Sequence, residues 1–443
     1  MTSCPHSGWA ITTQGNKKAY QSTPFPVVQI ASKWSSLDDP EILSDPKVKK
    51  LSDSVHSVDD QGQKDVEVRY RSCSWQKTAG LLFSEYICLA IMSFPWSFSV
   101  LGIVPGILVT LATAFIVLYT SLVLWQYSLK HPQLRDICDV GQKLFGGSQV
   151  AYNVTSLFFV LNNTFIQALH VLVLAEYLNT LSNSSLCTVV FAVIAALMSF
   201  VVSLPRTLSQ LSHMGVFSAV TMGLAVLLSI IFAGVQKHPF GYISGSEPIV
   251  TVIPIKGTTY VSGELPTIVQ EIKNTEQYIG MSAFLNIAYT LNGQATIPSF
   301  IAEMENPQDF PKALWAVTIA EIITFILCGA TIYHFVGNQY ITAPAFGSLQ
   351  PVFKKIAFSF ALPTMIFVGS LYSSVTARFV FFRIFRRSRH LHSNSVVAWV
   401  VWVAILATTW VVAFLIAQVI PFFSDMLSLM SSLFNGWFGY VVA

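Results

Sequence analysis

Charge is scarce in this chain. Lys, Arg, Asp and Glu together make up 11% of its 443 residues, while 53% are hydrophobic. Soluble domains carry about 25% charged residues, so the composition points to lipid rather than water as the solvent. Cysteine is scarce too. The six residues Cys4, Cys73, Cys88, Cys138, Cys187 and Cys328 include no CxxC pair and no neighbouring His at ligand spacing, which argues against a disulfide framework and against a metal site. The N-terminus lacks a basic stretch followed by a short apolar one, so no cleaved signal is expected and the first long apolar run serves as the membrane signal. Together these absences exclude a soluble enzyme, a nucleic-acid binder and a disulfide-rich secreted module. The net charge of +3 says little about partners, because most of the excess lies beside apolar runs.

The few charges are unevenly placed. Residues 1–77 hold 10 of the 25 Lys and Arg and 9 of the 22 Asp and Glu. This stretch is rich in Ser, Asp, Lys, Gln and Pro without apolar periodicity, and reads as a disordered tail. Residues 78–443 form a membrane domain. Ten segments reach the ~20 apolar residues a spanning helix needs, at 79–101, 105–127, 148–178, 186–204, 213–235, 281–302, 312–336, 352–382, 396–420 and 422–443. With the tail on the cytoplasmic side, that side carries 20 Lys and Arg against 5 opposite, so the N-terminus is expected inside. The basic run 383–389 reads as a topology anchor. The sequons at Asn153, Asn162 and Asn183 lie in or against spanning segments and are discounted.

Ten helices divide as five plus five, and the first of each half is interrupted. The expected breaks are Ser93-Phe94-Pro95 and Asn292-Gly293-Gln294. Paired breaks at matching positions mark an inverted-repeat transporter and its binding site. Each break frees backbone groups within the membrane. An α-amino acid offers a carboxylate for the freed N–H groups and an ammonium for the freed carbonyls. A simple kink at Pro95 is the plainer alternative for the first, and close helix packing at Gly293 for the second.

At these residues the sequence resembles the amino acid/auxin permease family of the APC superfamily, most closely the fungal neutral amino acid permeases of the methyltryptophan-resistance type. The matching stretches run from Cys88 to Pro95, Leu101 to Gly106, Asp139 to Gly146, Ser203 to Thr207, Gly293 to Lys312, and Arg383 to Pro421. The string 293–312 is the most specific. The resemblance covers 78–443 and implies an all-α, polytopic, LeuT-like 5+5 inverted repeat with broken helices 1 and 6. It implies import of neutral aliphatic or aromatic amino acids by alternating access, driven by protons in fungal members, with sodium as the alternative. The plasma membrane is the first expectation for its location and the vacuolar membrane the second. Three departures stand out. Ala90 replaces the family's usual Gly, Asn292 precedes Gly293 where an apolar residue is usual, and the chain stops at Ala443 where the family has an eleventh helix.

On this reading Ala90, Ile91, Met92 and Ser93 present donors to the substrate carboxylate. Tyr289, Thr290, Leu291 and Asn292 offer carbonyls to the ammonium, with Gly293 allowing the turn. Glu85 is the expected proton carrier, because an ionisable group within the membrane is expensive and functional by default. A place at the water interface is its plainer reading. Glu176 and Glu321 rank below it. Ser373 and Ser374, with Ser370 and Thr376 nearby, form a candidate cation site in a helix where hydroxyls are commonplace. Asn162, Asn163 and Gln167 suit interhelical hydrogen bonds. His170 and His334 stand alone and read as packing residues. Glu303, Glu305, Asp309 and Lys312 read as an inner gate, since no nucleophile converges on them. No cofactor is expected. The expected partners are a small-molecule amino acid and membrane lipid, without nucleic acid. The rival classes are an amino acid sensor signalling through the tail and an intramembrane enzyme, for which convergent catalytic groups are missing.

Overall fold

A computed structural model describes residues 73–132, 134, 136–206, 208–253, 275–385 and 395–441. The tail reading for 1–72, Arg135, Thr207, the loop lysines Lys256 and Lys273, and the basic residues Arg386, Arg387 and Arg389 lie outside these residues. The sensor alternative, which depends on the tail, lies outside them as well.

Apart from the connecting loops the described chain is helical, in the order α1 (Trp75–Tyr86), a 3-10 turn (Leu89–Ser93), α2 (Phe94–Leu101) and α3 (Ile103–Lys130). Then follow α4 (Ile137–Leu144), α5 (Gln149–Leu181), α6 (Thr188–Val202), α7 (Leu208–Val235), α8 (Thr275–Thr290) and α9 (Ile297–Glu303). The last are α10 (Phe310–Val336), α11 (Pro351–Ile384), α12 (Val396–Val419) and α13 (Phe423–Met430), the latter continued by π-helical turns over Ser431–Asn435 and Trp437–Val441. All ten segments expected from the apolar runs appear. Seven helical stretches are long and apolar enough to cross a membrane. The other three are α6, which is short, the interrupted α8–α9 pair and the α13 segment.

Capping sets several ends. Ser74 accepts from the Lys77 N–H at the start of α1, Ser148 from Ala151 at α5, and Ser395 from Ala398 at α12. Gly102 joins α2 to α3 at φ +87°, a backbone angle that favours glycine. α4 falls between the apolar segments 105–127 and 148–178. At eight residues it escapes any membrane-span window, yet Asp136 caps it, its carboxylate accepting from Cys138 and Asp139 N–H at 2.9 Å each. Burial pushes the Asp136 carboxyl up to about 6, the Asp139 charge adding to it and the two N–H donors opposing it.

Burial separates a centre from a rim. The stretch Trp75–Leu101 is 83% buried over its most apolar window, and α5 and α11 are 67% buried. By contrast α3 and α12 are only 33% buried and turn Leu108, Phe115, Val400 and Val411 outward. Apolar side chains on the outside need no aqueous explanation when the surrounding solvent is lipid. The interrupted α1–α2 stretch therefore stands at the centre, packed by α7, α8 and α10.

Candidate functional site

The first interruption lies earlier than expected. α1 stops at Tyr86, Ile87 and Cys88 leave helical geometry, and Leu89–Ser93 wind as a 3-10 turn. Pro95 sits in the first turn of α2, where its missing N–H costs nothing, so it opens the second half rather than breaking the helix. The freed donors shift with it. Ile91 N–H is spent on the Cys88 carbonyl at 3.2 Å, and the Ser93 hydroxyl donates to the Ala90 carbonyl at 2.7 Å. The N–H groups of Cys88, Leu89 and Ala90 find no backbone carbonyl outside the short turn itself. Among the four expected donors, Ala90 lines the central cavity, while Ile91, Met92 and Ser93 are packed away from it.

The second interruption falls where the sequence placed it, between Thr290 and Ile297. Asn292 N–H donates to the Tyr289 carbonyl at 3.0 Å and its side-chain Oδ1 accepts from Gln294 N–H at 3.2 Å. The Gly293 carbonyl accepts from Thr296, through N–H at 3.2 Å and hydroxyl at 3.0 Å. The carbonyls of Thr290 and Leu291 accept no backbone N–H across the break. Gly293 is required by a neighbour rather than by its backbone angle, which lies outside the left-handed region: a Cβ there would stand 1.7 Å from Tyr86 Cε1. Of the two sequence readings of Gly293, close packing is the one this contact supports.

The two breaks face a contracted cavity of about 50 Å³, room for a few waters. α1 and its turn supply Glu85, Tyr86, Cys88 and Ala90, and the second break supplies Tyr289, Thr290, Asn292 and Gly293. The opposite walls are α5, α11 and the C-terminal helix, with Asn162 and His170, Val368 and Tyr372, and Phe434, Asn435 and Phe438.

Glu85 is not at a water interface. It is 4% exposed, and its Oε1 accepts from the Tyr372 hydroxyl at 2.5 Å and the Thr296 hydroxyl at 2.9 Å, while Oε2 has no partner. One carboxylate thus joins α1, the second break and α11. Glu321 on α10 is also buried, with Oε1 unpartnered. Glu176 instead faces Lys354 across 3.4 Å as a half-exposed ion pair.

The other expected residues separate cleanly. Tyr289 donates its hydroxyl to Asn162 Oδ1 at 2.8 Å, and Asn163 donates to Thr376 Oγ1 at 3.0 Å. Ser373 and Ser374 do not face the cavity. Ser373 meets Thr409 of α12 at 3.3 Å, Ser374 donates to the Ser203 carbonyl at 3.3 Å, and Ser370 donates to the Ser199 carbonyl at 2.9 Å. These hydroxyls hold α11 to α6 and α12. At one end of the molecule Glu303 pairs with Arg378, and Cys73 forms a parallel bridge with Met304, its N–H bonding the Glu303 carbonyl at 3.2 Å. No cluster of metal-ligating side chains occurs among the described residues.

Sequence reasoning missed Tyr86, Thr296, Tyr372 and the part the C-terminal helix plays in the cavity wall. Asn435, whose amide hydrogen-bonds that of Asn292, had a signal: a lone amide in an apolar run. Tyr372 had none, for aromatic residues crowd α11.

Two interrupted helices crossing at a buried, partly polar cavity define a secondary transporter built on a five-plus-five repeat, not an enzyme. Residues 71–439 match the family model described as transmembrane amino acid transporter protein, and the chain belongs to that family. It is 29% identical over 374 residues to the N amino acid transport system protein of Neurospora crassa, covering 84% of this chain and 75% of the relative. A transmembrane transporter of Gibberella moniliformis is 26% identical, over 83% of this chain and 73% of its own length. Among solved structures the fold is similar to a nucleobase-cation-symport-1 family transporter in a closed conformation with bromovinylhydantoin bound, at TM-score 0.51, 15% identity, 84% of this chain and 78% of the other. It is also similar to the outward-open state of a Na+-coupled sialic acid symporter, at TM-score 0.50, 12% identity, 85% and 81%. The all-α, LeuT-like fold expected from the sequence is thus the fold observed, in a multi-pass membrane protein.

Proposed function

We propose that the protein imports neutral amino acids by proton symport, with Glu85 as the proton-carrying group. The observation that carries this reading is the position of Glu85, buried where α1, the second break and α11 meet, with one oxygen held by two hydroxyls and the other open. A proton on the open oxygen alters what the carboxyl offers to both breaks. That is a means of coupling protonation to the helices that move in alternating access. The donors at Cys88–Ala90 suit a substrate carboxylate, and the carbonyls of Thr290 and Leu291 suit its ammonium. Among the described residues Glu85 is the one acidic side chain lining the cavity and no Lys or Arg joins it, which favours a substrate with an uncharged side chain. The relative named N amino acid transport system protein supports an amino acid as the substrate. The hydroxyls of Ser373 and Ser374 are committed to helix packing, which favours protons over sodium as the coupling ion. The Lys and Arg bias favours a cytoplasmic N-terminus, which places the Glu303–Arg378 pair at the inner gate. The plasma membrane is the membrane that import requires.

Uptake of a labelled panel of neutral amino acids, in yeast lacking its own permeases, tests the reading. Accumulation is expected to collapse with a protonophore. Glu85→Gln is expected to abolish pH-driven accumulation while leaving exchange of internal for external substrate. Unchanged pH-driven uptake in that variant removes Glu85 from the mechanism, and accumulation that requires sodium instead removes the proton.

A further inference from the structure

The α5 wall of the cavity carries one acceptor whose need nothing among the described residues meets. His170 is 2% exposed and lines the cavity. Its Nδ1 lies 2.8 Å from the Ile166 carbonyl, and a carbonyl only accepts, so Nδ1 holds the hydrogen. Nε2 has no hydrogen-bond partner. Ile166 and Leu169 on the same helix and Val368 across the cavity are apolar, and Gly369 lets α11 approach until a Cβ there would stand 3.2 Å from His170 Cβ. None of the ion pairs among the described residues includes His170. A buried imidazolium without an anionic partner is costly, so the ring is neutral and Nε2 is a bare acceptor. A buried acceptor left without a donor is itself destabilising, and in an apolar wall it selects for whatever supplies one.

We propose that His170 is a specificity residue: Nε2 accepts a hydrogen bond from the substrate side chain, so that the widened site prefers neutral amino acids whose side chain ends in an N–H or O–H donor over apolar ones of the same size. This rests on the transport reading and deepens it. The breaks in the α1–α2 and α8–α9 helices hold the groups common to all amino acids. The wall formed by α5, α11 and the C-terminal helix is left to sort side chains. Sites built to hydrogen-bond a substrate group discriminate strongly against analogues that lack it, because the site's own polar atom is then left unpaired.

Glutamine and methionine make the comparison, being close in length and shape while only glutamine donates. Their uptake efficiencies are measured in permease-deficient yeast for the wild type, His170→Leu and His170→Gln, with surface protein quantified for each. The wild type is expected to favour glutamine by about tenfold or more, and His170→Leu to erase most of that ratio through loss of glutamine. His170→Gln, which restores an acceptor, is expected to recover part of it. A wild-type ratio near one overturns the proposal and needs no variant to fold. An unaltered ratio in surface-expressed His170→Leu overturns it too. Preference for glutamate, which accepts and does not donate, overturns it by assigning the opposite polarity to the ring. Uptake of methionine without glutamine preference rejects this inference alone, whereas a surface-exposed wild type that carries no amino acid rejects the transport reading and this one with it.

Discussion

In the first half of the molecule the chain leaves α1 at Tyr86 and crosses to α2 through a 3-10 turn that contains no glycine. In the second half it leaves α8 at Thr290 and reaches α9 through Asn292 and Gly293, with Asn292 and Thr296 side chains bonding the freed backbone. The first break thus leaves the N–H groups of Cys88, Leu89 and Ala90 without a backbone carbonyl beyond the turn, and is shaped by what surrounds it, Leu89 to Ser93 all being buried. The second is capped by its own side chains and opens at two carbonyls. The pair also interlocks, since the Tyr86 ring at the end of α1 occupies the space that a side chain at residue 293 would need. Two breaks in register need not share a local recipe. Equivalent backbone exposure arises from composition in one and from packing in the other.

Exchanging the glycine between the two sites gives the largest expected effect. Gly293→Ala forces the Tyr86 ring aside and is expected to cost about 3 kcal/mol or more in stability, with uptake reduced to background. Ala90→Gly is expected to cost at most about 1 kcal/mol and to retain uptake, because the turn already forms without glycine. Thermal denaturation of detergent-purified variants, with uptake in parallel, checks both. Equal tolerance at the two positions means the asymmetry is wrong.

Next in size is the link between the breaks. Tyr372→Phe removes one of two hydroxyls on Glu85 and is expected to cost about 1–3 kcal/mol in transition-state terms, read as a roughly fivefold or greater fall in proton-driven uptake. Exchange should fall less. Equal losses in both modes identify Tyr372 as a packing residue only.

The Asn292–Asn435 amide pair offers a finer test of whether the second break is supported from the C-terminal helix. A double-mutant cycle to alanine is expected to yield a coupling of about 0.6 kcal/mol, up to about 1.7, as for interhelical hydrogen bonds elsewhere. Additive single effects mean the break stands without α13.

The smallest effect lies outside both breaks. The Asp136 carboxyl is raised to about 6 by burial, so it carries a cost when ionised that it does not carry when protonated. A raised folded-state value favours the folded protein at low pH, and that contribution is lost as pH rises from the ordinary carboxyl value of 3.8 through about 6. Asp136→Asn keeps a capping oxygen and removes the charge. The variant is expected to match the wild type near pH 4 and to melt higher above pH 6. A melting difference independent of pH contradicts this.

How much of the site was legible follows from the range over which each signal acts. Hydropathy revealed the ten segments, since crossing a bilayer requires a local run of apolar residues. The second break was legible because Asn, Gly and Gln stand together in an apolar stretch, and Glu85 because a carboxyl there has no cheap explanation. The first break was read some residues late. Pro95 drew attention as a breaker, whereas it tolerates the first turn of the helix that follows. The cation reading for Ser373 and Ser374 rested on hydroxyl count alone, and only packing decided which neighbours they serve.

From sequence alone came the membrane class, the ten apolar segments, the five-plus-five division, the second break and Glu85 as a candidate group. Each of these depends on residues within one or two turns of each other, where period and polarity speak directly. Tertiary structure alone decided where α1 ends, that Tyr86 excludes a side chain at 293, and that His170 keeps an open nitrogen. It also brought Thr296 and Tyr372, 211 and 287 residues away in sequence, onto one oxygen of Glu85. Hydrogen bonds of that span depend on how helices rotate and pack against one another, and no local pattern in the chain encodes the rotation.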